Sequence, residues 1–140
     1  MAHAKEIRKS FATTMRHRTI LIADDDRLVR ESLHDVLADL GWAIEEAGNG
    51  TDAIAVLRRM RCDLLLSDVD MPDMTGFQLL SWVTEAGNLH AHTPVVLMSA
   101  RADHQLGLAA QRAGAVTLLS KPVEIPAITS LVARILERSS

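Results

Sequence analysis

Five short apolar runs, separated by segments of helical periodicity, leave this chain few architectures to choose from. The runs are Thr19 to Ala23 (TILIA), Trp42 to Ala47 (WAIEEA), Asp63 to Ser67 (DLLLS), Pro94 to Met98 (PVVLM) and Val116 to Ser120 (VTLLS). Strands that alternate with helices predict an α/β domain in which a parallel sheet is covered by helices. Four of the runs are nearly continuous in apolar residues, as strands buried on both faces must be, whereas WAIEEA is polar enough for a sheet edge.

The segments between the runs repeat their apolar residues at helical spacing. Leu28, Val29, Leu33, Val36, Leu37 and Leu40 form a first helix that Gly41 stops, as a left-handed cap would. Ala53, Ile54, Val56, Leu57 and Met60 form a second, and Phe77, Leu79, Leu80 and Val83 a third. The fourth, over Asp103 to Ala113, has only Leu106, Ala109, Ala110 and Ala113 to bury, so it is expected to be the most weakly anchored. The fifth carries Ile125, Ile128, Leu131, Val132, Ile135 and Leu136, with Pro126 tolerated in its first turn.

The residues that end the buried runs are all polar: Asp24 and Asp25 after the first, Asp68 after the third, Ser99 after the fourth and Lys121 after the fifth. In a parallel sheet these positions gather at the carboxyl edge, where open α/β folds hold their ligands. The concentration of acid is costly. Two like charges about 4 Å apart repel by roughly 4 kcal/mol at an effective dielectric near 20, and the segment LLLSDVDMPDMTG alone places Asp68, Asp70 and Asp73 within six positions. Paired carboxylates suit a hard divalent cation such as Mg²⁺, completed by water and a phosphate oxygen. One carboxylate can also act as a nucleophile toward phosphorus. A metal on one side and a lysine on the other would neutralise a phosphoryl group in transfer, with no glycine-rich loop required.

Composition narrows the remaining classes. The 140 residues are 48% hydrophobic, yet no apolar run approaches the roughly 20 residues that span a bilayer, which points to one globular domain. A net charge of −3 and the lack of a basic, aromatic-laced stripe argue against direct nucleic-acid binding. Cys62 is the sole cysteine, which rules out an internal disulfide and fits a reducing cytoplasm; it reads as a packing residue. Residues 1–17 read as an N-terminal extension, disordered or added for expression, with Met15 an alternative start. The stretch through residue 18 sets Lys5, Arg8, Lys9, Arg16 and Arg18 against Glu6, a net +4. The domain itself is assigned to residues 18–138.

In this order and spacing, the acidic pair of ILIADDD, the SDVDMPDMTG segment, the hydroxyl and small residue of LMSA, and SKP at 120–122 closely resemble the receiver domains of two-component response regulators. The resemblance implies a flavodoxin-like, doubly wound (βα)5 fold with a five-stranded parallel sheet in the order 2-1-3-4-5. It implies a signalling phosphoacceptor, not an enzyme in the ordinary sense, though one that contributes catalysis to its own phosphorylation and dephosphorylation. Asp68 would accept the phosphoryl group from a histidine kinase or phosphotransfer protein. Mg²⁺, or Mn²⁺, would be held by Asp25, Asp68 and the backbone carbonyl of Asp70, with Asp24 acting through water. Lys121 would contact a phosphoryl oxygen, and Ser99 would swing in to hydrogen-bond it. Ala100 would leave room for access, Gly76 would permit the turn into the third helix, and the Lys121–Pro122 peptide would be cis.

Three departures from the family pattern matter. Leu118 stands where an aromatic ring is common, so the usual coupled swing of hydroxyl and ring must run differently. Val123 replaces a common Phe. Asp70 and Arg101 occupy positions that in the family influence loss of the phosphoryl group, and they are expected to pair across the mouth of the site. The switching surface would be the face made by the fourth helix, fifth strand and fifth helix, which is also the candidate homodimer surface. The resemblance implies a downstream effector that the sequence does not show; the chain ends in RILERSS, just where a linker to an effector would begin, which leaves a single-domain regulator and an excised receiver both open.

Two other functions compete with this one. A receiver-like interaction module that is never phosphorylated would be marked by loss of Asp68, the acidic pair or Lys121, all of which are present. A haloacid-dehalogenase-type phosphohydrolase shares the D-x-D of Asp68 and Asp70, but Pro72 breaks its pattern and its acidic pair would follow the nucleophile. His34, His90, His92 and His104 read as solvated residues, Asp26 as a helix N-cap, and Trp42 and Trp82 as packing residues.

Overall fold

The structure, a computed structural model, describes residues 18–85 and 87–138; the expected extension at 1–17 lies outside them. Strands β1 (Thr19–Ala23), β2 (Ala43–Ala47), β3 (Leu64–Asp68), β4 (Val95–Ser99) and β5 (Thr117–Ser120) alternate with helices α1 (Arg27–Asp39), α2 (Gly50–Arg59), α3 (Gly76–Thr84), α4 (His104–Ala113) and α5 (Ile125–Arg138). All four strand pairings are parallel. The sheet order is β2-β1-β3-β4-β5, the doubly wound arrangement expected. β3 and β4 each begin and end one residue later than their apolar runs, so Asp68 and Ser99 are themselves the last residues of strands.

Strand alternation divides the core into two layers. Leu21, Ala23, Leu65, Val95 and Leu97 face α2, α3 and α4, where they meet Ala53, Val56, Leu57, Leu79, Leu80, Val83 and Ala110. Ile20, Ile22, Leu64, Leu66, Val96 and Met98 face the other way, against Leu33 and Leu37 of α1 and Ile128, Val132, Ile135 and Leu136 of α5. β1, β3 and β4 are buried along their whole length because both faces are covered.

Helix ends follow local chemistry. Asp26 caps α1 through Leu28 N, Asn49 caps α2 through Asp52 N, and Asp103 caps α4 through Leu106 N. Thr75 and Gln78 form a reciprocal capping box on α3. Gly41, at φ +97°, and Gly114, at φ +101°, take the left-handed conformation that closes α1 and α4.

Some expectations are corrected. Leu28 and Leu40 are 74% and 54% exposed, Leu28 because it falls off the Leu33/Leu37 stripe and Leu40 because the helix ends at Asp39 and leaves it as the cap residue. In α4 only Ala110 is buried, so its anchor is smaller than the four-residue face expected. His90 is not solvated: its ring is buried, bonds the Leu57 carbonyl through Nε2 and stacks on Trp82. His34 lies on α1 with Nδ1 2.7 Å from Glu46 Oε2. Cys62 is a buried thiol whose pKa is pushed up to about 11 by burial, then by Asp63 and Glu45, so it is an inert packing residue.

Candidate functional site

The chain runs outward from β1 in both directions, to β2 on one side and to β3 on the other, and the strand order reverses between β1 and β3. The crevice at the carboxyl ends of these strands is the place such a sheet offers a ligand. Asp24 and Asp25 follow β1, and Asp68 ends β3. One carboxylate oxygen from each lies within 4.8 Å of the others. Asp24 and Asp68 are buried, whereas Asp25 is exposed.

Lys121, after β5, reaches across the edge to both buried acids. Its Nζ lies 2.5 Å from Asp24 Oδ2 and 3.2 Å from Asp68 Oδ2. Burial disfavours the Lys121 ammonium, but the Asp24 and Asp68 carboxylates outweigh it and hold the pKa above the ordinary lysine value. Burial, followed by the neighbouring charge of Asp24, raises the Asp68 pKa, while Lys121 and the Asp70 backbone N–H work the other way. One ammonium therefore only partly compensates three carboxylates. Asp24 Oδ2 has the Lys121 ion pair but no directional hydrogen bond, although it is fully buried. An all-oxygen donor set with excess negative charge suits a hard divalent cation, and the residues present fit one.

The remaining positions frame this centre. Ser99 is buried, and its Oγ accepts a hydrogen bond from Arg101 N at 3.0 Å. The Ser99 carbonyl accepts from Lys121 N, also at 3.0 Å, which ties the end of β4 to the lysine. Lys121–Pro122 is cis. Ala100 is exposed beside Ser99, and Leu118 is half-buried on β5. Arg101 Nη2 grips both oxygens of Asp70, at 2.8 and 2.9 Å, and the pair is solvent-exposed at the mouth. Gly76 lies against the Asp68 carbonyl so closely that an added Cβ would overlap it.

Two contributors were missed in the sequence. Ser67 Oγ donates to the Asp68 carbonyl at 3.0 Å; nothing in the local pattern separates this hydroxyl from any polar strand residue. Asp73 bonds Gly50 N and Thr51 N, at 2.9 and 2.7 Å, and also Thr51 Oγ1, so it pins the β3–α3 loop to the N-terminus of α2. Its partners lie more than twenty residues away, beyond the reach of any local motif.

A parallel five-stranded fold with a carboxylate triplet and a lysine at its switch point defines a phosphoacceptor domain of the receiver class. The family model of the response regulator receiver domain matches residues 20–133, and the chain belongs to that family. It is 38% identical over 115 residues to response regulator protein FleR of Pseudomonas aeruginosa, covering 82% of this chain and 24% of that protein. It is 33% identical over 120 residues to the DNA-binding transcriptional regulator NtrC of Salmonella typhimurium, covering 86% of this chain and 25% of that one. The chain thus spans about a quarter of the length of these relatives. Among solved structures, the chemotaxis response regulator CheY4 of Vibrio cholerae superposes with a TM-score of 0.79 at 27% identity, covering 86% of this chain and 99% of that one. Receiver domains act with histidine kinases or phosphotransfer proteins. No helix among the described residues is long and apolar enough to cross a membrane.

Proposed function

We propose that Asp68 is the phosphoacceptor of this receiver and that its phosphorylation depends on Mg²⁺ or Mn²⁺. The observation that carries this reading is the convergence of Asp24, Asp25 and Asp68 at one point, with the Lys121 ammonium bridging the two buried acids. An Asp68 oxygen attacks phosphorus in a phosphohistidine or a small acyl phosphate. The new O–P bond forms as the old N–P or O–P bond breaks, and the leaving imidazole or carboxylate departs with its electron pair. A divalent ion held by Asp25, Asp68 and the Asp70 carbonyl, with Asp24 through water, would supply positive charge against the transferring phosphoryl oxygens.

Lys121 shifts from carboxylate to phosphoryl oxygen as charge builds there. Ser99 offers its hydroxyl once it releases Arg101 N, and the exposed, small Ala100 leaves an approach open. Phosphorylation adds charge and acceptor oxygens beside α4, which buries only Ala110. The α4–β5–α5 face then shifts its population and presents the change to a partner or a second copy. Leu118 takes the place of an aromatic lever, so Ser99 and the peptide bonded to Lys121 N carry the coupling. The domain works in the cytoplasm and takes its phosphoryl group from a histidine kinase or phosphotransfer protein. The effector it serves lies downstream.

The test is intact-mass spectrometry after incubation with acetyl phosphate, with and without Mg²⁺, on the protein and on Asp68→Ala. One metal-dependent phosphoryl group, absent in the variant, is expected. No gain in a folded protein would overturn the reading in favour of a phosphorylation-independent interaction module.

A further inference from the structure

The carboxylate triplet has an uneven anchorage. Asp68 is the last residue of a paired strand, and Asp24 is held through its N, which donates to the Ala47 carbonyl at 3.0 Å, and through both carboxylate oxygens, Oδ1 accepting from Asp26 N at 2.9 Å and Oδ2 meeting Lys121. Asp25 is different. Its carboxylate is exposed and has no hydrogen-bond or ion-pair partner among the described residues. Its position in the triplet must therefore come from the two peptide groups on either side of it.

One of those groups is the Asp26 N–H already tied to Asp24 Oδ1. The other is the Asp24 carbonyl, the oxygen of the peptide plane that leads into Asp25. That oxygen accepts a hydrogen bond from Arg30 Nη1 at 2.6 Å. Arg30 reaches back from the first turn of α1, with its side chain only 19% exposed, and is itself clamped: Nε lies 3.2 Å from Glu46 Oε1 at the end of β2. Glu46 Oε2 in turn rests on His34 Nδ1. A guanidinium can make both bonds at once because its donors form a rigid fork, which a lysine ammonium lacks.

We propose that Arg30, oriented by Glu46, is a positioning residue that fixes the Asp24–Asp25 peptide plane and so sets the Asp25 carboxylate for cation binding. The inference rests on the reading of the triplet as a divalent-ion site. It assigns Arg30 no contact with phosphoryl group or cation. Its contribution is geometric: paired with Glu46, the guanidinium has its charge balanced, so its field at the cation position is small.

The experiment measures Mg²⁺ affinity by titration calorimetry on the wild-type protein, Arg30→Ala, Arg30→Lys and Glu46→Gln, with metal-free thermal midpoints recorded beside it. Residues that orient metal ligands from behind typically control affinity by about 10- to 100-fold, so Arg30→Ala and Arg30→Lys are each expected to weaken Mg²⁺ binding about tenfold. Glu46→Gln is expected to lose less, in the same direction. The ratio between wild type and Arg30→Lys should hold at low and high salt, because geometry is not screened as charge is. Wild-type affinity in Arg30→Lys would reduce Arg30 to a charge and overturn the proposal. So would a lowered thermal midpoint with unchanged affinity, the mark of a merely structural role. If Arg30→Ala does not fold, Arg30→Lys and Glu46→Gln decide. A wild-type protein that binds no Mg²⁺ would overturn the divalent-ion reading itself, a failure distinct from wild-type binding with unaltered variants.

Discussion

The same substitution at two glycines should change stability in opposite directions. At Gly76 an added Cβ would fall well under 3.0 Å from the Asp68 carbonyl oxygen and 3.1 Å from both Leu97 Cδ2 and Val69 Cα. Two of these three obstacles are backbone, so neither can turn aside as a flexible side chain would, and the strain falls on the strand end that carries Asp68. Overpacking of this kind costs about 1–3 kcal/mol, and rigid neighbours place Gly76→Ala near the upper end, about 2–3 kcal/mol. At Gly107, inside α4, a Cβ meets nothing within 4 Å. There Ala only recovers helix propensity, a gain of about 0.5–1 kcal/mol. With a urea slope of roughly 1.5 kcal/mol per M, the midpoint of Gly76→Ala is expected about 1.5 M below wild type and that of Gly107→Ala about 0.5 M above it. Urea unfolding followed by circular dichroism measures both. If Gly76→Ala equals wild type, or if the two variants move together, the steric reasoning at the Asp68 carbonyl is refuted. Gly50→Ala provides an intermediate case: its Cβ overlaps the Met74 side chain, which can rotate away, so the loss should be smaller than at Gly76.

Removing either Asp70 or Arg101, by Asp70→Ala or Arg101→Ala, is expected to shorten the phosphorylated lifetime by opening the mouth of the site to water. Unchanged decay of the phosphorylated mass in both variants would refute this. Burial and then the Asp24 charge hold Asp68 above the ordinary carboxylate pKa, so the stability linked to its protonation is fully present below the unfolded carboxylate pKa, is lost as pH rises through the folded value, and leaves an ionised carboxylate that opposes folding at neutral pH. Asp68→Asn should therefore raise the urea midpoint at pH 7, with the advantage shrinking as pH falls toward about 4, and added Mg²⁺ should stabilise wild type but not the variant. Asp73 behaves oppositely. Its hydrogen bond from Thr51 and those from backbone N–H groups lower its pKa to about 2, so its stabilisation is complete above the ordinary carboxylate pKa and is lost as pH falls toward 2. Asp73→Asn should lower the urea midpoint at pH 7, and the gap from wild type should close through that acidic window.

The asymmetry of the two covering layers explains where this domain can move. α1 and α5 bury large aliphatic side chains against β1, β3 and β4. α4 contributes Ala110 and little else, and β5 beside it is only half-buried. Little apolar area opposes displacement of α4, so a modest change in charge at Asp68 has something soft to act on. The weakest packing thus falls on α4 and β5, two of the three elements of the proposed signalling face, with α5 as its firmly packed side.

Much of this arrangement follows from residue order alone. Two-sided burial requires the continuous apolar runs of β1, β3 and β4, helical spacing marks the covering elements, and parallel strands bring their carboxyl ends to one edge. Asp24, Asp25, Asp68, Ser99 and Lys121 are thus placed together before any coordinate is known. The acid cluster is legible for an energetic reason, since carboxylates at that density repel one another unless positive charge compensates them. Local pattern stops where partners are remote in sequence. It does not show that Leu28 and Leu40 leave the core, that His90 enters it to meet Leu57, that Asp73 holds the N-terminus of α2, or that Arg30 reaches from α1 to the Asp24 carbonyl while clamped by Glu46 of β2. Those contacts are selected by packing, because a side chain finds its partner only after sheet and helices have fixed the distances between them. Sequence thus determined which chemical groups meet at the strand ends, and tertiary structure decided how firmly each is held.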